Sequence, residues 1–287
     1  MSGLGHGQGW VVHRNAGRQG IHGGSAPVAV SIDGLSKTFA KTSGSGTQAL
    51  AQIGLVIHEG EFVCLLGPSG CGKSTLLQLI AGLERPSTGE IRWWGQGAGI
   101  LGQEGHRVGY VFQEATLMPW SDVRRNVRLP LDLLACPRVE AERRVAQTLD
   151  LVGLGSFAAA YPHELSGGMQ MRAAIARALV SAPRLLLMDE PFGALDELTR
   201  NRLNTELLTL WAGQHVTVVF VTHSMAEAAF LGSRVLVMSP RPGRLAGEVI
   251  IEEPYPRTDD FRTSARHLAY VRQLGQMLQE VSHGATP

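Results

Sequence analysis

The chain of 287 residues contains the stretch Gly67-Pro68-Ser69-Gly70-Cys71-Gly72-Lys73-Ser74. It fits the pattern G-x-x-x-x-G-K-[ST] and lies between the apolar strand pattern Phe62–Leu66 and the run Ser74–Ala81, which permits a helix. Glycines in such a loop let backbone N–H groups face phosphate oxygens, and the following helix adds the positive end of its dipole. We therefore predict a phosphate-binding loop in which Lys73 neutralises phosphate charge and the Ser74 hydroxyl ligates Mg²⁺.

A pair of carboxylates follows a second apolar run further along the chain. Leu185–Met188 has the composition of a buried parallel strand, and it leads into Asp189 and Glu190. Open α/β sheets bind ligands at the carboxyl ends of their strands, so we expect Asp189 to hold Mg²⁺ through water and Glu190 to align the attacking water. An acidic pair after a strand is more often a solvated turn. Its place after a phosphate-binding loop favours the catalytic interpretation.

The pentad Leu165-Ser166-Gly167-Gly168-Met169 lies between these two segments. It is the signature of the ABC-type ATPases, and with it the chain resembles that family over about residues 32–249. The resemblance implies an α/β fold, in which a P-loop NTPase core carries an antiparallel β subdomain and an inserted α-helical subdomain. It also implies an enzyme that hydrolyses ATP with Mg²⁺ as cofactor.

The domain boundaries are predicted from composition and periodicity. Residues 1–27 are rich in glycine and lack an apolar segment, so we expect a disordered tail, followed by the ATPase domain at 28–255. Between Trp120 and Ala182 strand patterns vanish and helical periodicity marks Val139–Val152 and Met169–Val180, which predicts a helical subdomain at about 115–182. Residues 256–287 form a C-terminal extension with an amphipathic helix, marked by Leu268, Val271, Leu274, Leu278 and Val281.

The remaining apolar patterns predict strands and one further helix. The strands are Val28–Ile32, Ile53–Ile57, Glu90–Trp94, Val108–Phe112, Val216–Val221, Arg234–Met238 and Leu245–Ile251. The helix is Glu197–Trp211, with an expected core face of Leu198, Leu203, Leu207, Leu208 and Leu210.

The family resemblance adds residues to the site. It implies that the nucleotide contacts run through the whole loop from Gly67 to Thr75. Phe39 resembles the aromatic residue on which adenine stacks, although an ordinary core phenylalanine is nearly as good an interpretation. Gln113, after Val111-Phe112, resembles the Q-loop glutamine that reaches Mg²⁺ and the attacking water. Asp196 resembles the D-loop aspartate, and His223, after Val216–Thr222, resembles the switch histidine that contacts the γ-phosphate.

The signature has a physical sense of its own. Ser166, Gly167 and Gly168 precede the predicted helix Met169–Val180 and expose its N-terminal amides to an anion. By resemblance, that anion is the γ-phosphate of ATP on a second copy of the chain, so two ATP molecules join two copies. Met171 stands where the family usually has glutamine, and we expect this departure to tune activity without abolishing it.

Several further segments are similar to the importers of nitrate, sulfonates and taurine. They are Val111–Glu114, Met118–Trp120, Asp189–Asp196 with Thr199-Arg200, and Met238–Arg244. The resemblance implies a small anion as solute, two copies of a membrane permease and, indirectly, a periplasmic solute-binding protein. It also implies a peripheral location on the cytoplasmic face of the bacterial inner membrane.

Composition excludes some other functions. The formal net charge is +1, so the chain has no overall basic field, and we expect no nucleic-acid partner. An alternative is an ABC-type ATPase that acts on DNA or the ribosome. DNA clamps commonly carry a long heptad insertion between the two motifs and ribosomal factors commonly carry two cassettes, whereas residues 75–184 show no sustained heptads and the sequence has one phosphate-binding loop.

The three cysteines lack metal-site spacing. Cys71 lies beside Lys73 and a helix start, so we expect its thiol to react faster than that of Cys64.

Overall fold

The computed structural model describes residues 26–40, 46–214 and 216–283. Its strands are β1 Val28–Phe39, β2 Thr47–His58, β3 Phe62–Leu66, β4 Thr88–Trp93, β5 Val108–Val111, β6 Leu185–Asp189, β7 Thr217–Thr222, β8 Arg234–Met238 and β9 Leu245–Ile250. Its helices are α1 Lys73–Ile80, α2 Val123–Leu133, α3 Arg138–Leu151, α4 Gly167–Leu179, α5 Glu197–Gln214, α6 Met225–Leu231, α7 Asp259–Arg262 and α8 Ala265–His283. The tail predicted for residues 1–27 lies outside the described residues except for its last two.

A three-stranded antiparallel sheet, in the order β2-β1-β4, forms the first part of the fold. Strands β1 and β2 are both longer than the predicted strands Val28–Ile32 and Ile53–Ile57. The alternation in β1 ends at Ile32 because the pairing with β2 shifts register before Leu35, and Gly34 between them has φ +56°. A pattern with period two cannot be followed through such a shift.

A six-stranded sheet, in the order β5-β6-β7-β3-β8-β9, forms the centre of the molecule. Its first five strands are parallel, and β9 pairs antiparallel with β8. Every residue of β3, β6, β7 and β8 is buried, which is why these strands read as continuous apolar runs. The sheet brings the carboxyl ends of β3, β5, β6 and β7 to one edge.

The helices α2, α3 and α4 share a hydrophobic core of their own. Helix α2 was not predicted, because Pro130 and charged residues interrupt its apolar positions. Val123, Val127 and Leu131 nevertheless recur four residues apart and are buried. The longest of the three helices has 14 residues. Between residues 75 and 184, all of which the structure describes, there is thus no long helical arm of the kind that a DNA clamp would carry.

The C-terminal helices α7 and α8 pack on the core beneath the parallel sheet. Phe261 and Leu274 are buried there, and Val271 and Leu278 pack against the same cluster. Leu268 is 48% exposed, so its predicted place on the apolar face is wrong. The neighbouring His267 is buried instead, and its Nε2 lies 3.0 Å from the carbonyl oxygen of Ala226 in α6.

Helix α5 has the predicted apolar face with one exception. Leu203, Leu207 and Leu208 are buried, but Leu198 is 83% exposed, so its assignment to the core face is wrong. Leu198 lies in the first turn of α5.

Candidate functional site

The loop between β3 and α1 is shaped by glycine. Gly72 has φ +106°, and a Cβ atom there would lie 2.7 Å from Leu50 Cδ2 and 3.0 Å from the carbonyl oxygen of Ala49. A Cβ atom on Gly67 would lie 2.9 Å from Cys71 Sγ. Helix α1 begins without a side-chain cap, so the N–H groups of its first turn are left for another acceptor. An uncapped helix start behind a close-packed glycine loop fits a phosphate group.

Lys73 places its ammonium group across this loop. The side chain is buried, and Nζ donates hydrogen bonds to the carbonyl oxygens of Gly67 at 2.9 Å and Pro68 at 3.1 Å. Glu190 Oε1 lies 3.6 Å from the same Nζ. The cation thus lies between the loop backbone and the carboxylate at the end of β6.

Ser74 and Asp189 meet at the edge of the sheet. Ser74 Oγ donates a hydrogen bond of 2.9 Å to Asp189 Oδ1, although 115 positions separate the two residues. Burial raises the pKa of the Asp189 carboxyl, and the hydrogen bond from Ser74 opposes that rise. A hydroxyl and a carboxylate oxygen at this distance are a donor set that suits Mg²⁺.

Tyr110 is a member of the site that the sequence analysis missed. Its hydroxyl donates to Asp189 Oδ2 at 3.5 Å, and its ring lies 4.4 Å from that of Phe112. The parallel pairing of β5 with β6 sets Val111 opposite Met188 and thereby brings Tyr110 near the carboxylate. The one signal for Tyr110 in the sequence was its place in β5, where buried and partly buried residues alternate.

Glu190 and His223 are in direct contact. His223 Nδ1 lies 2.9 Å from Glu190 Oε2, and the backbone N–H of Glu190 donates to the carbonyl oxygen of Val221 at 3.0 Å. Glu190 has φ +44°, a conformation that costs a residue with a side chain about 1–3 kcal/mol. Strain of this kind persists only where neighbouring contacts fix the backbone, so the loop that follows β6 must hold Glu190 in this conformation.

Two other predicted residues lie at the margins of the site. Gln113 is exposed just beyond the end of β5, on the same sheet edge as Asp189. Phe39 is 38% exposed at the end of β1, and Lys37 Nζ lies 4.8 Å from the centre of its ring. The exposed ring removes the interpretation as an ordinary core residue, while the contacts of both residues with a nucleotide stay predictions.

The signature segment forms the start of α4. The helix begins at Gly167 and not at the predicted Met169, and Ser166 caps it, since its Oγ accepts a hydrogen bond of 3.4 Å from the N–H of Met169. The glycines allow a close approach, because a Cβ atom on Gly168 would lie 3.2 Å from Thr199 Cγ2 in α5. No hydrogen bond or ion pair of the described residues joins Ser166, Gly167 or Gly168 to the phosphate-binding loop.

Two residues near these motifs have clear structural roles. Asp196 caps α5, because its Oδ1 accepts a hydrogen bond of 3.0 Å from the N–H of Thr199, and this bond lowers the pKa of Asp196. Met171 is 5% exposed within the core beneath the sheet, so an apolar side chain fits where the family usually has glutamine.

The side chain of Cys71 is enclosed by the loop in which it lies. Its side chain is 1% exposed, and burial raises the pKa of its thiol more than the nearby Lys73 lowers it. Burial raises the pKa of the Cys64 thiol well above its usual value as well, so the expected order of the two cysteines stays a prediction. The helix start and the lysine do favour the thiolate, but the loop packs the sulfur away from water.

A family model described as ABC transporter matches residues 50–193, which include the phosphate-binding loop, the signature, Asp189 and Glu190. The chain belongs to this family. Three curated relatives of this ABC protein are named as import ATP-binding proteins. NrtD of Synechocystis sp., for nitrate, is 42% identical over 86% of this chain and 94% of its own length. SsuB of Bacillus cereus, for aliphatic sulfonates, is 42% identical over 80% and 89%. TauB of Roseobacter denitrificans, for taurine, is 44% identical over 76% and 81%.

A solved structure extends the comparison to the fold. It is a dimeric, post-hydrolysis state of an ATP-binding cassette bound to ADP and Pi, which is 34% identical to this ABC protein and has a TM-score of 0.68 over 78% of this chain and the whole of that one. The predicted fold class is thereby confirmed, and the protein is an ATPase that binds ATP. Among the described residues, no helix is long and apolar enough to cross a bilayer.

Proposed function

We propose that this protein is the ATP-hydrolysing subunit of an importer that takes up a small anion, such as nitrate, taurine or an aliphatic sulfonate, through a separate permease. The observation that supports it is the identity of 42–44% to import ATP-binding proteins for these three solutes, over 81–94% of their own length. The solute itself touches other subunits, so no residue of this chain distinguishes among the three.

The contacts at the sheet edge support a division of roles in hydrolysis. Lys73 and the amides at the start of α1 bind the β- and γ-phosphates. Ser74, Asp189 and Gln113 hold Mg²⁺, which when bound neutralises phosphate charge. Glu190 aligns and deprotonates the attacking water, and His223 fixes the Glu190 carboxylate by its hydrogen bond and faces the γ-phosphate. Phe39 stacks on adenine, and the backbone from Gly67 to Thr75 encloses the phosphates.

The working unit is proposed to contain two copies of the chain. Gly168 lies against α5 of its own chain, and within the described residues no hydrogen bond or ion pair joins the signature to the loop that binds phosphate. An ATP held by that loop in one copy would meet the signature of the other copy, as the dimeric relative supports. Asp196 lies near the same surface because it begins the helix on which the signature packs.

The remaining partners follow from the importer assignment. The two ATPase copies dock on two permease subunits at the cytoplasmic face of the bacterial inner membrane, and a periplasmic solute-binding protein delivers the anion. The loop that contains Gln113 reports on the permease by resemblance to the Q-loop.

The experiment is deletion of the gene in the organism of origin, with growth on nitrate as sole nitrogen source and on taurine or an alkanesulfonate as sole sulfur source. We expect growth to fail on one of these and to return with the wild-type gene but not with Glu190→Gln. Arg202→Met, a change on the exposed side of α5, is the matched control and should restore growth. Normal growth of the deletion strain on all three solutes would refute the importer assignment for them.

A further inference from the structure

The loop between Glu190 and α5 is tied to that helix by one side chain. Arg200 Nε donates to the carbonyl oxygen of Phe192 at 3.2 Å, and its Nη2 donates to those of Leu195 at 2.8 Å and Gly193 at 3.5 Å. No carboxylate of the described residues forms an ion pair with Arg200. Its guanidinium is therefore bonded to the backbone of this loop from the first turn of α5, and these three hydrogen bonds are called the clamp below.

The clamp acts on the segment that fixes the backbone of Glu190. The carbonyl oxygen of Glu190 accepts a hydrogen bond of 3.0 Å from the N–H of Gly193, three residues further along the chain, and this bond closes a turn. Arg200 in turn holds the carbonyls of Phe192, Gly193 and Leu195. The left-handed conformation of Glu190 thus depends on a turn whose far end Arg200 secures.

The ring of Phe192 secures the same turn from the other side. It is 1% exposed and lies 5.9 Å from the ring of Phe220 in β7. This packing fixes the middle of the turn but not its exit, where Leu195 is only partly buried. The shortest of the three hydrogen bonds from Arg200, to the carbonyl oxygen of Leu195, lies at that exit.

We propose that Arg200 is a positioning residue for hydrolysis, which holds the turn after β6 so that the Glu190 carboxylate faces the attacking water. The inference rests on the proposed role of Glu190 and adds a residue whose side chain donates its hydrogen bonds to the protein backbone. Misplacing a catalytic group by about 1 Å can cost on the order of 100-fold in rate, so loss of the clamp is expected to act on the chemical step.

The test compares steady-state ATP hydrolysis by Arg200→Met, Arg200→Lys and the control Arg202→Met. Arg200→Met keeps an unbranched apolar stem in place of the aliphatic part of the arginine and removes all three hydrogen bonds, so we expect kcat to fall about 10-fold or more. The KM for ATP should change by less than about twofold, because Lys73 and the phosphate-binding loop keep their contacts. Arg200→Lys can satisfy one carbonyl and should be intermediate, and Arg202→Met should match the wild type.

A double variant separates positioning of Glu190 from a general loss of structure. In a Glu190→Gln background, Arg200→Met should cause no further loss of kcat, because the group that it positions is already inactive. An equal loss in both backgrounds, or an unchanged kcat in Arg200→Met, would overturn the proposal. If Arg200→Met does not fold by circular dichroism, the same criteria apply to Arg200→Lys.

Failure of the proposal is distinguishable from failure of the role of Glu190. Wild-type turnover by Glu190→Gln alone would remove Glu190 from catalysis and the positioning role with it. Inactive Glu190→Gln beside fully active Arg200→Met would leave Glu190 in place and refute Arg200 alone.

Discussion

Glu190 is constrained from every side at the scale of single residues. His223 contacts one carboxylate oxygen, Lys73 lies 3.6 Å from the other, and the backbone N–H is bonded to Val221. The side chain nevertheless keeps 19% of its surface exposed, which leaves a path for water. Its chemistry thus depends on orientation as much as on charge.

We predict that Glu190→Gln binds ATP but hydrolyses it at least about 100-fold more slowly, because the amide keeps the shape of the side chain and removes its basicity. Phosphate release measures the turnover, and titration with a fluorescent ATP analogue measures the binding. Lys73→Ala provides the contrast, since it should weaken binding itself. Rapid hydrolysis by Glu190→Gln would contradict the proposed role.

We also predict that N-ethylmaleimide modifies Cys136 before Cys71 and Cys64, because Cys136 is only partly buried whereas the other two thiols are enclosed. Burial raises the pKa of both enclosed thiols, so their thiolate fraction at neutral pH is below that of an ordinary cysteine. Mass spectrometry of labelled peptides after short exposures gives the order. Fast labelling of Cys71 at neutral pH would show that the loop opens in solution.

The site could be predicted from the sequence where a motif keeps its members close together. Lys73 with Ser74, and Asp189 with Glu190, belong to such motifs, whereas His223 was expected from the family resemblance and its place at the end of a strand. Tyr110 could not be predicted in the same way, because its contact with Asp189 spans 79 positions and depends on which strands are neighbours. Arg200 belongs to the pair Thr199-Arg200, which is similar to the importers. Its contacts could not be predicted, because its three acceptors are backbone carbonyls, which every residue carries.

At the scale of elements, the sequence predicts buried strands better than helices. Strands β3 and β8 begin and end as expected, since a strand buried on both faces is an apolar run with clear ends. Helix α2 was not predicted because a proline lies within it. Helix α4 begins two residues before the predicted start, because its first two residues are glycines, which have a low helix propensity. Tertiary packing overrides local propensity in both helices.

The C-terminal extension is held by a buried arginine. Arg257 is 3% exposed, and its Nη1 donates to the carbonyl oxygens of Phe230 at 2.8 Å, Gly232 at 2.9 Å and Ala229 at 3.1 Å. These carbonyls belong to the end of α6, where a cation is favourable. The segment after β9 is therefore bonded to the helix that follows His223.

We predict that Arg257→Met lowers the free energy of unfolding by about 2–4 kcal/mol, since hydrogen bonds from a charged donor contribute about 1.5–3 kcal/mol each and burying methionine offsets part of the loss. Chemical denaturation with circular dichroism measures the change. The matched control is Arg266→Met, whose arginine is 65% exposed and pairs with Glu253, and which should cost less than about 1 kcal/mol. Equal effects of the two changes would show that Arg257 is not an anchor.

At the scale of the whole molecule, the separation of signature and phosphate-binding loop predicts assembly driven by nucleotide. In the Glu190→Gln protein, MgATP should convert monomers to dimers, as light scattering after gel filtration can measure. Adding Gly168→Asp should abolish the dimer while ATP affinity stays unchanged, because a negative charge at the start of α4 would repel the partner's phosphates and the added side chain would press on Thr199. Gly99→Asp is the control, since a side chain there meets no neighbour. A dimer that survives Gly168→Asp would contradict the arrangement.

The separate core of α2, α3 and α4 has a consequence for how the molecule opens. Its buried residues, such as Val127, Val145 and Ala173, form a cluster distinct from the two that flank the parallel sheet. A unit with its own core can unfold and refold as a unit while the rest stays native. We therefore expect amide hydrogens of residues 123–151 to exchange with deuterium together, at a lower free energy than those of β3 and β6. The protein would then carry a weakly protected block that lies between two of its most protected strands in the chain.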